Sequence, residues 1–431
     1  MVKTCTRCLY IELHPLGIIF DSEGVCSGCR IHEEKDTLDW SARWDQLEQI
    51  VAPYRSDEAR YDCIVPISGA KDAHFIVDTV VNRLGLKPLV VAYNKYFNTA
   101  TGINNQANLR IKFNVDFQLK NVNPAVVKRL TRTALYKYGN MYWPVLAGDS
   151  VFPVQTAVMM DIPLIIWGAH QGLEQVGQFS HTHGVEMTRR YRKDHDLFGI
   201  EPAEIVGPFD DLTAEDTLNY RYPAFSDIQA KGVRGIYLGN YMRWDPLAQH
   251  HQMVKEHGYT GRDLARTFDK YDHADCYAYS GVHDLLKYFK HGYGKVRDQA
   301  CREIRHGRLT CKEAAAAVYY YENQSPADME LFARWLGVEQ STLKFVLNRH
   351  RNPLIWEEVT PNTWVRRSGT GAAEELEDVG SLDLQGPPPP LPLSYPGSAP
   401  KLRESGDYIT IGRGVDYPEQ PPKPDLPLHY F

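Results

Sequence analysis

From residue 62 the chain alternates between two kinds of apolar spacing. DCIVPI (62–67) is a short continuous apolar run that ends in small residues, the pattern of a buried strand. HFIVDTVVNRLG follows at helical spacing and closes on Gly85. PLVVAY (88–93) predicts a second strand, NNQANLRIKFN a helix, and DFQLKNV a third strand. Helices over 124–138 and 151–160 come next, then a fourth strand at PLIIWG (163–168). Strands separated by helices predict an α/β fold, a parallel sheet covered on both faces.

The flanking pattern is different. In DTLDWSARWDQLEQIVAPYR, Leu38, Trp40, Trp44, Leu47 and Ile50 fall near helical spacing and stop at Pro53, predicting a linker helix within 36–60. Residues 250–356 read as a helical region, carried by GVHDLLKYFKHGYG, KEAAAAVYYYEN, MELFARWLG and STLKFVLNRH. Beyond 357 the periodicity dissolves into GPPPPLPLSYPGSAP and YPEQPPKPDLP. Such a tail (357–431) suits either polyproline docking to a protein partner or a plain extended appendage. The α/β unit between these regions spans 61–249.

Composition narrows the class. A chain of 431 residues exceeds one typical domain, and 43% hydrophobic with 24% charged residues is ordinary for a soluble globular protein. A net charge of -6 gives no overall electrostatic footprint for nucleic acid or an anionic membrane. No run reaches the roughly 18 apolar residues of a membrane span, and no secretory signal pattern opens the chain. A cytoplasmic protein is the expectation.

Four of the eight cysteines crowd the first thirty residues as Cys5-x-x-Cys8 and Cys26-x-x-Cys29. A redox pair or an iron-sulfur site would use the same residue type, but paired CxxC spacing favours tetrahedral zinc (Zn2+). The expectation is a structural zinc ribbon or knuckle over 1–35, whose metal supplies folding energy that so short a segment lacks. Cys63, Cys276, Cys301 and Cys311 are scattered and read as buried apolar side chains.

The candidate chemistry begins at Ser68-Gly69-Ala70-Lys71-Asp72-Ala73, between the first strand and its helix. A small-residue turn there points free backbone amides at an anion. An ordinary tight turn would use the same residues, and neither the Walker spacing nor GxGxxG is present. SGAKDA resembles the SGGxDS loop of the PP-loop ATP pyrophosphatases. Together with CTRC…CSGC, PLIIWG, YLGNYMRWD, GVHDLLKYFKHGYGKVRDQACREIRHGRLT and LNRHRNPLIWE, it is similar to the N-acetyl sugar amidotransferases of surface-polysaccharide biosynthesis, over roughly residues 3–356.

That resemblance implies a HUP-like sheet and a reaction using ATP and magnesium (Mg2+). The oxygen of an acetamido group, on a nucleotide-linked or carrier-linked N-acetyl sugar, would be adenylated and replaced by ammonia to give an amidine. Ammonia would come from a separate glutaminase with a cyclase-like partner. The chemistry is sound, because an amide carbonyl is a poor electrophile with a poor leaving group and adenylation corrects both. By position, Ser68, Gly69 and Ala70 would line the phosphates, with Lys71 beside them, Asp72 toward magnesium and Ala73 closing the loop. Asp72, Lys71 and Glu174 are the candidate catalytic residues.

Two positions depart from the family pattern: Ala70 replaces a glycine and Ala73 a serine. A methyl at position 70 costs about 1 kcal/mol where φ is positive. Loss of a hydroxyl bonded to a charged oxygen removes roughly 1.5 to 3 kcal/mol. Two alternatives therefore stay open, a PP-loop sulfur transferase and a catalytically degenerate partner protein in a biosynthetic complex.

Weaker candidates follow. Gly168 ends the fourth strand where adenine or substrate would approach. WGAHQGLEQVGQFSHTH supplies His170, Glu174, His181 and His183, of which Glu174 suits substrate contact or proton transfer and the histidines read as solvated. Arg189, Arg190, Arg192 and Lys193 form a basic cluster suited to the diphosphate of a nucleotide sugar or to a solvated face. Asn240, Arg243, Trp244 and Asp245 read as a substrate-site wall or a structural turn. His283, Asp284, Lys287, Arg297, Arg302 and Arg305 lie on family-like helices, where packing and substrate contact look alike.

Overall fold

The apolar runs become the strands of one parallel sheet in this computed structural model, which describes residues 2–69, 72–188, 192–207, 211–375 and 386–396. β1 (Cys63–Pro66), β2 (Pro88–Tyr93), β3 (Asp116–Lys120), β4 (Leu164–Trp167) and β5 (Arg234–Tyr237) lie in the order β3-β2-β1-β4-β5. Every neighbouring pair is parallel. β5 does not stand out in the apolar pattern, because RGIY is short and opens on arginine and glycine. The run at YLGNYMRWD begins where this strand ends.

Two short helices precede the sheet, α1 (Ser27–Glu34) and α2 (Trp40–Val51). Within it come α3 (Ala73–Asp78), α4 (Ala100–Phe113), α5 (Pro124–Tyr138), α6 (Trp143–Met160), α7 (Gln171–Glu174), α8 (Pro202–Ile205) and α9 (Phe225–Ala230). Strand alternation sorts the core into two faces. Val65, Val90 and Ile166 pack with Val77, Val80 and Leu109 on one side, while Ile64, Leu89, Val91 and Ile165 meet Phe152 and Val154 of α6 on the other. Both faces are covered, as the sequence pattern required. Because β2 and β4 flank β1, chain connections leave its carboxyl end in opposite directions, and a crevice opens there.

The second half is helical: α10 (Pro246–His257), α11 (Val282–His291), α12 (Lys295–Arg305), α13 (Cys311–Glu322), α14 (Met329–Leu336) and α15 (Gln340–Arg349). The expected boundary at 249/250 falls inside α10, whose Met253 and Val254 belong to the sheet's core. The stretch read as a tail begins with a hairpin, β6 (Trp356–Thr360) against β7 (Thr363–Arg366). Part of the proline-rich stretch lies on the chain itself: the Ser394 carbonyl accepts from His251 Nε2 at 2.6 Å, and Tyr271 Oη donates to the Pro396 carbonyl at 3.2 Å.

The N-terminal segment holds only the isolated bridges Thr4–Ile11 and Phe20–Cys26 before α1 among the described residues, so of the two expected forms it has that of paired knuckles, without ribbon strands. Its buried face packs on Val296, Ala300, Ala314 and Val318 of α12 and α13. Buried Arg297 closes that seam, donating to the carbonyls of Leu9 (3.4 Å) and Gly371 (2.8 Å) and pairing with Glu322 at 3.1 Å. Among the described residues no helix is long and apolar enough to cross a membrane.

Candidate functional site

β1 runs into the small-residue loop, and Gly69 turns the chain at φ +86°. A Cβ there would lie 2.6 Å from Gln106 Cγ, so glycine is required both by conformation and by space. Gln106 Nε2 donates to the Ser68 carbonyl at 3.1 Å and fixes the loop from α4. Ala70 and Lys71 lie outside the described residues. Asp72 sits at the N-cap of α3 without a side-chain capping bond, and its Oδ1 lies 3.9 Å from Nε2 of buried His250.

A cavity of about 210 Å³ fills the switch-point crevice, lined by Ser68, Asp72, Ala73, Tyr93, Asp149, Trp167 and Gly168 among others. Gly168 has a packing reason to be glycine, since a Cβ would stand 2.7 Å from Ile76 Cδ1. A side chain there would have to displace the tip of Ile76 from the first turn of α3.

A second cavity, of about 250 Å³, shares Asp72 and Ala169 with the first. Glu174, Trp244, His32, Asp298, Arg302, Arg305 and His306 contribute to its walls. Glu174 is ion-paired with buried Lys35, and its Oε1 lies 3.8 Å from His181 Nε2. Burial pushes its carboxyl up, but the Lys35 ammonium and His181 outweigh that and hold it at about 2. Glu174 is therefore an anion at neutral pH, able to position a cation but not to donate a proton. His32 and His306 meet edge to face at 4.6 Å, and burial keeps them neutral, at about 4 and about 3.

The expected substrate wall does not converge. Trp244 lines the second cavity and accepts Lys35 Nζ on its carbonyl at 3.3 Å. Asn240 is buried, donating to the Val185 carbonyl (2.7 Å) and accepting Arg43 on its own carbonyl (2.7 Å). Arg243 turns to the linker, bonding the Lys35 carbonyl and Asp36. Asp245 caps α10 and takes a bidentate pair from Arg308 at 2.8 and 3.0 Å. Three of the four are thus framework groups. Of the basic cluster, Arg189 and Arg190 lie outside the described residues, and Arg192 is buried with its guanidinium 3.6 Å over the Trp167 ring. His250, Tyr93, Asp149, His32 and His306 enter the cavities or their surroundings without a motif, and only the fold brings them there.

The four N-terminal cysteines are buried, and their sulfurs all lie within 4.8 Å of one another. Cys5 and Cys29 are 4.0 Å apart, Cys8 and Cys26 3.7 Å. Zinc-thiolate bonds of about 2.3 Å in a tetrahedron put sulfurs about 3.8 Å apart, so the cluster fits a closed zinc site. The amides of Arg7 and Cys26 donate to Cys5 Sγ at 3.4 and 3.2 Å, and Arg305 Nη2 reaches Cys26 Sγ at 3.5 Å, the outer contacts that orient thiolate ligands. Arg305 also donates to the Gln175 carbonyl at 2.8 Å, tying the knuckles to the helix that carries Glu174. Elsewhere Cys63 and Cys276 are fully buried, and burial pushes both thiols up, Cys276 to about 11.

Residues 265–368, the stretch containing α11 to α15 and the hairpin, match the family model described as LPS biosynthesis protein WbpG-like, C-terminal domain. No curated protein matches the chain. The family match supports placement in a polysaccharide-biosynthesis family, and it does so through the helical half, independently of the loop in the sheet.

Proposed function

We propose that this chain is an ATP-dependent amidotransferase of the PP-loop ATP pyrophosphatase type, converting the acetamido group of an N-acetyl sugar into an acetamidino group. The reading rests above all on one observation: the strand, small-residue loop and helix stand at the sheet's switch point, facing a cavity that continues into a second one. Amides of the Ser68–Asp72 loop and the start of α3 would hold the phosphates, with Lys71 beside them. Asp72 would hold Mg2+, which would supply charge neutralisation for departing pyrophosphate.

In this scheme the acetamido oxygen attacks the α-phosphorus of ATP, and pyrophosphate leaves. Ammonia then adds to the carbon so activated, and AMP departs with the original oxygen. The protein's part is to hold the reactants in line and exclude water. A carboxyl held at about 2 is a weak base, so Glu174 is assigned a positioning role, fixing Lys35 and α7 along the second cavity. The zinc knuckles are structural. Sulfur transfer is disfavoured by the burial of Cys63 and Cys276, whose thiols are held protonated.

The test is MgATP binding by calorimetry, followed by pyrophosphate release with ammonia and a panel of nucleotide-linked N-acetyl sugars. The natural chain is compared with an Ala70→Gly, Ala73→Ser double variant. Turnover by both chains supports the proposal. Turnover by the double variant alone identifies a degenerate, repurposed member, and none from either ends the amidotransferase reading.

A further inference from the structure

A third cavity, of about 370 Å³, continues from the second, sharing Gln171, Gln175, Tyr279 and Lys295 with it. Its chemistry is unlike that of its neighbours. Lys287 and Lys290 of α11 and Lys295 at the start of α12 all line it, and no aspartate or glutamate does among the described residues. The carboxylate closest at hand, Asp298, is already engaged: it pairs with Lys287, accepts Tyr10 Oη at 3.0 Å, and stands 4.0 Å from Lys295 Nζ. Lys287 takes up that negative charge, which leaves Lys290 on the same helix with no carboxylate beside it among the described residues.

The remaining contacts of Lys287 and Lys290 are neutral. Lys287 lies 4.1 Å over the Tyr293 ring, Lys295 donates to Tyr279 Oη at 2.6 Å, and Lys290 donates to the carbonyls of Tyr138 (3.2 Å) and Gly139 (3.1 Å). Two further polar groups line the cavity without a hydrogen-bond partner, Tyr293 Oη and His14 Nε2, on residues only 0% and 6% exposed. Burying surplus positive charge beside orphaned polar atoms is costly unless something completes the set. The strain shows in the groups themselves. Burial, aided by Lys295, pushes the Lys287 ammonium down to about 8 even with Asp298 beside it, and burial holds His14 at about 3.

An anion completes the set. It pairs the surplus charge and accepts from the lysines and Tyr293, while Leu146, Ile200 and Leu286 offer an apolar wall for whatever carries it. The volume is that of a small-molecule site. The geometry points to this cavity as the seat of the phosphate-bearing end of the acceptor, a diphosphate carried by a nucleoside or a lipid, with its sugar directed through the second cavity toward Asp72. The assignment of the anion to the acceptor rests on the amidotransferase reading; the anion site itself does not. It also relocates the diphosphate contact from Arg189–Lys193 to α11 and α12, with His14 of the N-terminal segment as part of the wall.

The experiment measures binding of uridine diphosphate, farnesyl diphosphate and inorganic phosphate, without magnesium, to the full chain and to Lys287→Gln, Lys295→Gln and Asp72→Asn. At least one diphosphate is expected to bind, to weaken about tenfold or more in each lysine variant, as for loss of a charge-assisted hydrogen bond, and to be unaffected by Asp72→Asn. Which diphosphate binds identifies the carrier. Acetic anhydride labelling of the unaltered chain, read by mass spectrometry, is the check that needs no variant: the bound diphosphate should shield Lys287, Lys290 and Lys295. Binding that is indifferent to both lysine substitutions, labelling without protection, or no binding by either diphosphate overturns the proposal. Failure of MgATP binding with diphosphate binding intact would instead overturn the amidotransferase reading and leave this site standing.

Discussion

The crevice at the ends of β1 and β4 and the lysine-lined cavity between α11 and α12 are built by opposite means. The crevice is made by leaving things out: Gly69 turns where no Cβ fits, Gly168 keeps the end of β4 clear beside Ile76, and the acidic groups lining it among the described residues are Asp72 and Asp149. The cavity is made by putting things in, three lysines around one engaged carboxylate, with Lys290 matched by no acidic group among the described residues. Backbone-built sites are compact in sequence and cheap in the empty protein. Sites built from buried charge are scattered in sequence and strain the empty protein until the ligand arrives.

Four perturbations separate the two regions. The largest effect is expected from the metal. Structural zinc contributes on the order of 10 kcal/mol to the folding of small modules, so Cys5→Ser or Cys26→Ser should abolish metal content by mass spectrometry and unfold residues 2–35. Because that segment supplies His14 and Tyr10, diphosphate binding should vanish while MgATP binding at the sheet survives in part.

Next comes pH, read at the start of α11. Burial raises the Asp328 carboxyl to about 7, against the opposing bond from the Val282 amide. A carboxyl whose folded pKa is raised gives its full stability below the unfolded value near 4 and loses it as pH climbs to about 7. Denaturant titrations should show stability falling by a few kcal/mol across that window, and Asp328→Asn should flatten the curve. A smaller effect belongs to the crevice: Gly69→Ala should cost about 1–3 kcal/mol through its positive φ and the collision with Gln106. It should weaken MgATP binding and spare diphosphate binding. Smallest is Tyr395→Ala, which removes a ring packed 5.2 Å from Tyr271 and should lower stability by about 0.5–1.5 kcal/mol. No change would mean the proline-rich segment's contact with its own chain is incidental.

These differences explain what could be read in advance. Strands β1, β2 and β4 announced themselves as buried apolar runs, the half-buried edge strand β3 by its place after a helix, and the loop because its six residues are contiguous. The cysteine cluster was visible because ligand spacing is itself a geometric constraint. β5 was not, since RGIY spends two of four positions on arginine and glycine. Asn240, Arg243 and Asp245 looked like a site wall because the polar groups of a strand-to-helix turn and those of a substrate pocket are the same residue types; only partners such as Arg308 and Asp36 tell them apart. The third cavity draws on His14, residues 138–140 and residues 283–295, and no linear pattern joins positions so far apart.

Arg297 has a consequence for how the chain is made. By bridging Leu9 to Gly371 it stitches the first folded segment to one of the last. At ribosomal speeds of about 5–20 residues per second, the knuckles emerge roughly 15 to 60 s before this arginine does. Through that interval their apolar face has no helix to rest on, and only the four thiols can organise it. Metal capture would come first and packing last, so limiting zinc during synthesis should send nascent chains to aggregation even when the finished protein, once assembled, holds its metal against chelators.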